Sequence, residues 1–256
     1  MLESDSPLNR LPSNLHPQQV LLLDGMRTCA LIAKDKTLRL HEHLHAISFS
    51  DTPPSRHVVF ASAWSIVDSA HRFCKFITRF VTETGCPLNE AWVTPMRRVK
   101  GLRDTIQHLD ERVEQVMVKE QQVLFGQLGW VARGNISDTH GRIFSMTSGY
   151  FPFKEQAFNV ANPSGRILHN TIDRVTLTAV GRVVNNQFMP VSVVMEEILC
   201  SMKQCLMAVE RFAKSKMEAM PKAPIMPLDN LMVVRFHGLT DTGCVLTPDV
   251  EFKLRR

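Results

Sequence analysis

The chain is nearly free of tyrosine, with one against fourteen phenylalanines. It has no apolar run near the roughly 18 residues that a membrane-spanning helix needs. Its two best candidates are broken by acids, VLLLDGM at Asp24 and VVFASAWSIVDSAHRF at Asp68. None of its glycines falls into a phosphate-loop or dinucleotide-binding spacing, so nucleotide chemistry of those kinds is not expected. Ser137 and Ser145 lack a nucleophile-elbow context, which leaves no serine-hydrolase signal. The cysteines (Cys29, Cys74, Cys86, Cys200, Cys205 and Cys244) lie far apart, mostly within apolar helical patterns. They read as reduced, buried thiols of a cytoplasmic protein, since a disulfide framework does not suit a chain of this length. The first residues lack a basic, apolar and small-residue leader, so no secretory signal is expected.

What is present is a balanced globular composition, 44% apolar and 21% charged over 256 residues. Such a chain can bury a real core. The formal net charge of +5 permits an RNA, DNA or acidic protein partner without demanding one.

Period and punctuation divide the chain into segments. Residues 1–16, rich in Ser, Pro and Asn, read as a mobile lead-in. Pro17 suits the first position of a helix, because its missing N–H is not needed there. Residues 17–127 read as the core of a helical bundle. The first helix carries Leu22, Met26, Cys29, Ala33 and Leu40 at helical spacing up to about Ile47, and Pro53-Pro54 break it. A second helix, from about Arg56 to Thr84, is apolar on more than one face and so belongs in the centre. Gly85 and Pro87 end it. A long stretch from Leu88 to Phe125 is the organising helix, starting near Thr94 or Val99, with Leu102, Ile106, Leu109, Val113, Val116 and Leu124 as its buried stripe.

Residues 128–188 change character. WVARGNI, GRIFSMTSG and RVTLTAVGRVV read as strands of a small antiparallel sheet. Residues 189–220 read as a further long helix beginning at Met189-Pro190. Residues 221–256 carry two strands, LMVVRF and VEFKL, which could rejoin the earlier sheet. The expected fold class is therefore α+β, a long-helix bundle with a small antiparallel sheet.

One cluster looks chemical rather than architectural. Arg97, Arg98, Lys100 and Arg103 are followed by Asp104 and His108. At 100° per residue, Asp104 and His108 share a helix face away from the Leu102 stripe, and Arg103 lies about 140° from His108. That separation favours a site shared between helices or between two subunits. A histidine can move a proton at a ribose 2′-hydroxyl or a leaving 5′-oxygen. An arginine can stabilise charge developing on phosphoryl oxygens. Arg97, Arg98 and Lys100 would hold flanking phosphates. The bland alternative is a solvated basic turn followed by a ladder of surface ion pairs, Asp104, His108, Glu111 and Arg112, each worth a few tenths of a kcal/mol.

The run Arg103-Asp104-Thr105-Ile106-Gln107-His108 resembles the arginine–polar–variable–histidine motif of the HEPN superfamily, and LRDTIQHLDERVE looks like its bacterial members. The resemblance rests on six residues with their helical context and reaches at most residues 17–125 and 190–220. It implies a helical bundle, typically a homodimer, with a site where two motif helices meet. Many members are metal-independent endoribonucleases, and others only bind or scaffold. By resemblance, Arg103 and His108 would be the catalytic pair and Asp104 the polar residue after the arginine. No cofactor or metal is implied. RNA, a second copy and a protein partner are the expected partners, with no membrane. The chain departs from a minimal member in being roughly twice as long and in carrying the strand-rich segment.

Other candidates read as ordinary structure. His41, His43 and His45 would share a face only in a strand, and their context is helical. Cys200 and Cys205 fall about 140° apart on a helix, poorly placed to chelate. Asp138 and His140 sit in a turn, and His169, Asn170 and Asp173 precede a strand. The methionines of the C-terminal third are core filler or an oligomer face.

Overall fold

The structure, a computed structural model, describes residues 6–9, 11, 15–51, 53–107, 123, 125–149, 170–184, 187–218, 230–240 and 243–254. After a short 3-10 turn at Pro7–Asn9 come helices α1 (Pro17–Phe49), α2 (Arg56–Thr84) and α3 (Glu90–Gln107). Strands β1 (Gln127–Ala132), β2 (Arg142–Thr147), β3 (Ile172–Val184) and β4 (Gln187–Val194) follow, then helix α4 (Met195–Glu218). A last hairpin is formed by β5 (Asn230–Thr240) and β6 (Gly243–Leu254). The architecture is α+β: a helical bundle joined to a four-stranded antiparallel sheet of order β2-β1-β3-β4. Strands β5 and β6, for which the sequence left a return to that sheet open, form a separate two-stranded one.

The boundaries follow local chemistry. Pro17 opens α1, with the His16 ring accepting from the Gln18 N–H. Gly85 closes α2 in the left-handed conformation (φ 69°), its N–H donating to the Val81 carbonyl, a conformation glycine reaches without steric cost. α3 begins at Glu90, earlier than the periodicity suggests. The Asn89 side chain caps it by accepting from the Ala91 N–H at 2.9 Å. The helix also runs through Pro95 and Gly101. The expected continuation through Leu109, Val113 and Val116 lies outside the described residues.

One segment differs from its sequence reading. The stretch from Met189 was expected to open a helix, yet Gln187–Val194 is strand β4 and α4 starts at Met195. Val191, Val193 and Val194 favour a pleated surface. Pro190 is tolerated because β4 is an edge strand. The acidic pair then falls in the first turn of α4, where the helix dipole favours it.

The core is one cluster spanning both halves. α1 gives Met26, Ala33, Leu40 and Leu44, α2 gives Ala63, Val67, Phe73 and Ile77, and α3 gives Met96, Val99 and Leu102. The sheet adds Leu128, Trp130, Val175 and Leu177, and α4 adds Ile198, Met202, Leu206 and Val209. Gly25 lets α1 approach α2: a Cβ there would stand 2.8 Å from the Phe76 ring. Trp130 pins the sheet to the bundle, donating to Ser48 Oγ at 2.9 Å and stacking on Phe144. Leu8 and Leu11, within the stretch whose composition suggested a mobile lead-in, are buried in this core. Ser6 donates to Glu210 of α4.

The β1–β3 ladder carries a bulge. From Gly129 to Val131 is two steps on β1, whereas the partners Thr176 to Asp173 are three steps on β3. Arg174, in that interval, has φ 57°, unusual for a residue with a side chain. The Val175 N–H donates to both carboxylate oxygens of Glu196 at 3.1 Å.

Candidate functional site

Arg103 leaves α3 toward α2, where its Nε donates to Asp68 Oδ1 at 3.0 Å. The other carboxylate oxygen accepts from Arg72 Nε at 2.7 Å, one helical turn along α2. One carboxylate thus gathers two guanidinium groups. Burial pushes the Asp68 pKa up, but the hydrogen bonds from Arg103 and Arg72 outweigh it and hold the carboxyl below its usual range. Arg103 is mostly buried, its side chain 18% exposed, whereas Asp68 is 42% exposed. The pair lines a cleft, with the carboxylate toward water.

That cleft, about 670 Å³, runs between α1, α2 and the end of α3. Asp24 and Cys29 come from α1, Trp64 and Phe76 from α2, and Arg103 and Ile106 from α3. Apolar groups such as Ile32, Trp64 and Phe76 share its walls with Thr28, Ser65 and Ser69, and charge is concentrated at Asp24, Asp68, Arg72 and Arg103, a mixture that suits a ligand site. Cys29 is no activated nucleophile: burial first raises its thiol, Arg72 lowers it and Asp68 raises it, for a net pKa of about 11.

His71 directly precedes Arg72 on α2. It is buried, at 4% exposure, and its Nε2 has no hydrogen-bond partner among the described residues. Burial, then Arg103 and Lys75, lower its pKa below the ordinary 6.5, against the opposing pull of Asp104 and Asp68.

The residues singled out in the sequence that the structure describes all lie on α3. Arg103 and Asp104 are half-buried and share the electrostatic surroundings of His71. Arg97 is exposed and ion-paired with Glu90. Arg98 and Lys100 are exposed on α3. His108 lies outside the described residues. Asp68, His71 and Arg72 were missed by sequence reading. The signal available was Asp68 breaking an otherwise apolar run, three residues before a histidine on the same helix side.

The other candidates behave as ordinary structure. His41 approaches Glu196, with 3.4 Å from Nε2 to Oε1, and the His45 ring packs at 5.0 Å on Phe49. Cys200 is exposed while Cys205 is buried. Asp138 accepts from the Asn135 N–H within its turn. Among the described residues, no group of three or more His, Cys, Asp or Glu could hold a metal ion. Nor is any helix among them long and apolar enough to cross a membrane. No family model, curated protein or solved structure matches the chain.

Proposed function

We propose that the cleft beside Arg103 binds RNA and cleaves it without a metal, in the manner of a HEPN-type endoribonuclease. The observation that carries this reading is the Asp68–Arg103 pair lining the 670 Å³ cleft. A guanidinium fixed by a carboxylate is oriented in advance for phosphoryl oxygens. With the Cys29 thiol protonated, the nucleophile comes from the ligand itself, the ribose 2′-hydroxyl. His108, five residues beyond Arg103, is assigned the proton transfer. Arg98 and Lys100 take flanking phosphates, together with Arg97 once it leaves Glu90. A second copy of the chain completes the site in this reading.

The test is incubation of 5′-labelled mixed-sequence RNA with the purified protein in excess EDTA, beside His108→Ala and Arg103→Ala. The proposal expects 2′,3′-cyclic phosphate ends that vanish in both variants. No cleavage by a folded wild type would overturn it.

A second reading is a non-catalytic dimeric binding or scaffold protein. It is favoured by α1, where Leu21 and Leu38 are 71% and 57% exposed and Leu31 is also exposed between them. Scattered exposed leucines are ordinary, but a stripe along one helix suits a partner helix. Concentration-dependent sedimentation of wild type and Leu38→Glu decides whether that face holds a dimer.

A further inference from the structure

Four side chains of α2 line the cleft about one turn apart. Trp64, Asp68, Arg72 and Phe76 follow at intervals of four residues, and all of them reach it. Positions spaced in this way form one ridge of a helix. The order along the ridge is aromatic, acid, base, aromatic. At its centre Asp68 accepts from Arg72 at 2.7 Å and from Arg103 of α3 at 3.0 Å. Arg72 is 58% exposed. At 1.5 Å per residue, each aromatic residue stands about 6 Å along the axis from the nearer charged one, and the two aromatics about 18 Å from each other.

Both rings are held in place. The Trp64 indole N–H donates to the Phe125 carbonyl at 3.1 Å. The Phe76 ring lies against Gly25 of α1, where a Cβ would come within 2.8 Å of it. Both residues stay half-buried rather than sealed in the core. A rigid, partly open aromatic face gives contact area at little cost in conformational freedom. A small apolar ligand would have no use for the charged centre, and a bare phosphate none for the rings. A nucleic-acid strand uses both, because its phosphates suit guanidinium groups and every base has a π face. A base inside a duplex is stacked between its neighbours, so only an unpaired strand presents a free face.

We propose that Trp64 and Phe76 are base-stacking residues that restrict the Arg103 cleft to unpaired RNA, one base resting on each ring with the intervening phosphates at Arg72 and Arg103. No covalent bond changes in this step. The inference rests on the reading of Arg103 as a phosphate-binding group.

The test uses the full chain and an end-labelled, mixed-sequence 2′-O-methyl strand, which lacks the attacking hydroxyl and stays intact. Fluorescence anisotropy compares it with an abasic strand of equal length and with its own duplex. Wild type is expected to bind the base-bearing strand about tenfold more tightly than either, or better, since one stacked base contributes about that factor. Trp64→Leu and Phe76→Leu are each expected to lose about tenfold on the base-bearing strand and little on the abasic one. Trp64→Phe keeps a ring while losing the bond to Phe125, and is expected to stay near wild type. Where a variant fails to fold, a strand bearing 5-iodouridine is irradiated on wild type and the crosslinked peptides are mapped by mass spectrometry. Crosslinks are expected at Trp64 or Phe76.

Equal affinity for base-bearing, abasic and paired strands overturns the inference and leaves the proposed phosphate site standing. A preference for bases that survives in both folded leucine variants does the same, as do crosslinks that avoid both rings or a loss in Trp64→Phe as large as in Trp64→Leu. No binding of any strand by folded protein overturns both.

Discussion

Arg103 and Arg133 are both arginines drawn into the protein, and they are held by opposite means. Arg133, at the end of β1, is 8% exposed. Its guanidinium donates to the carbonyls of Asn170, Ile136 and Asp138, with distances of 2.7 to 3.3 Å. It serves as a staple for the turn after β1. Arg103 is held by the Asp68 carboxylate, which it shares with Arg72. Carbonyl oxygens fix an arginine into the backbone and leave it no alternative partner. A carboxylate lining a cleft compensates its charge and can be displaced by another anion. The lesson is that burial of a cation does not by itself mark a site. The kind of acceptor, and what opens beside it, separate a staple from a binding group.

The comparison can be broken most readily through activity. Arg103→Ala is expected to slow RNA cleavage by about 100-fold or more, as loss of a charge-stabilising donor does. Arg133→Gln, assayed at a temperature where it remains folded, is expected to stay within about twofold of wild type. Initial rates on one labelled RNA measure both.

The order reverses for stability. Arg133→Gln is expected to lower unfolding free energy by about 2–4 kcal/mol, since several charge-assisted bonds to backbone carbonyls are lost together. The urea midpoint reads this directly. Asp68→Asn is expected to cost about 1 kcal/mol or less, because its carboxylate is 42% exposed and screened by solvent.

The smallest effects are those of pH, and they have opposite origins. Asp68 has a depressed folded pKa. Its contribution is present above the ordinary carboxylate value near 3.8 and is lost as pH falls through the folded one. His71 is also depressed, but for a base this means the unfolded chain binds the extra proton. Stability should therefore rise with pH from the folded value up to about 6.5 and then level off. Urea midpoints of wild type, Asp68→Asn and His71→Asn across pH 3 to about 8 separate the two windows.

Much of this organisation was legible in the chain. The spacing of Met26, Ala33 and Leu40, and of Phe60, Val67 and Ile77, marks the faces that α1 and α2 bury. Gly85 marks the end of α2. β4 was not legible, because Gln187–Val194 runs straight into the acidic first turn of α4 with no turn residue between them. The burial of Leu8 and Leu11 depends on α4, far along the chain, and a Ser- and Pro-rich composition conceals it. The candidate site was half legible. The basic cluster and Arg103 stand out in one stretch, but Asp68, His71 and Arg72 join it only when α2 and α3 pack. No local pattern announces a contact between residues thirty-five apart.

The most direct measurement is cleavage of labelled RNA in excess EDTA by three proteins side by side: wild type, Arg103→Lys and Arg133→Lys. Lysine keeps the charge and loses the forked geometry. The account predicts that Arg103→Lys loses most of the activity while Arg133→Lys, if folded, retains it. Equal rates for Arg103→Lys and wild type, or no cleavage by any folded protein, would contradict the assignment of Arg103 to the chemistry.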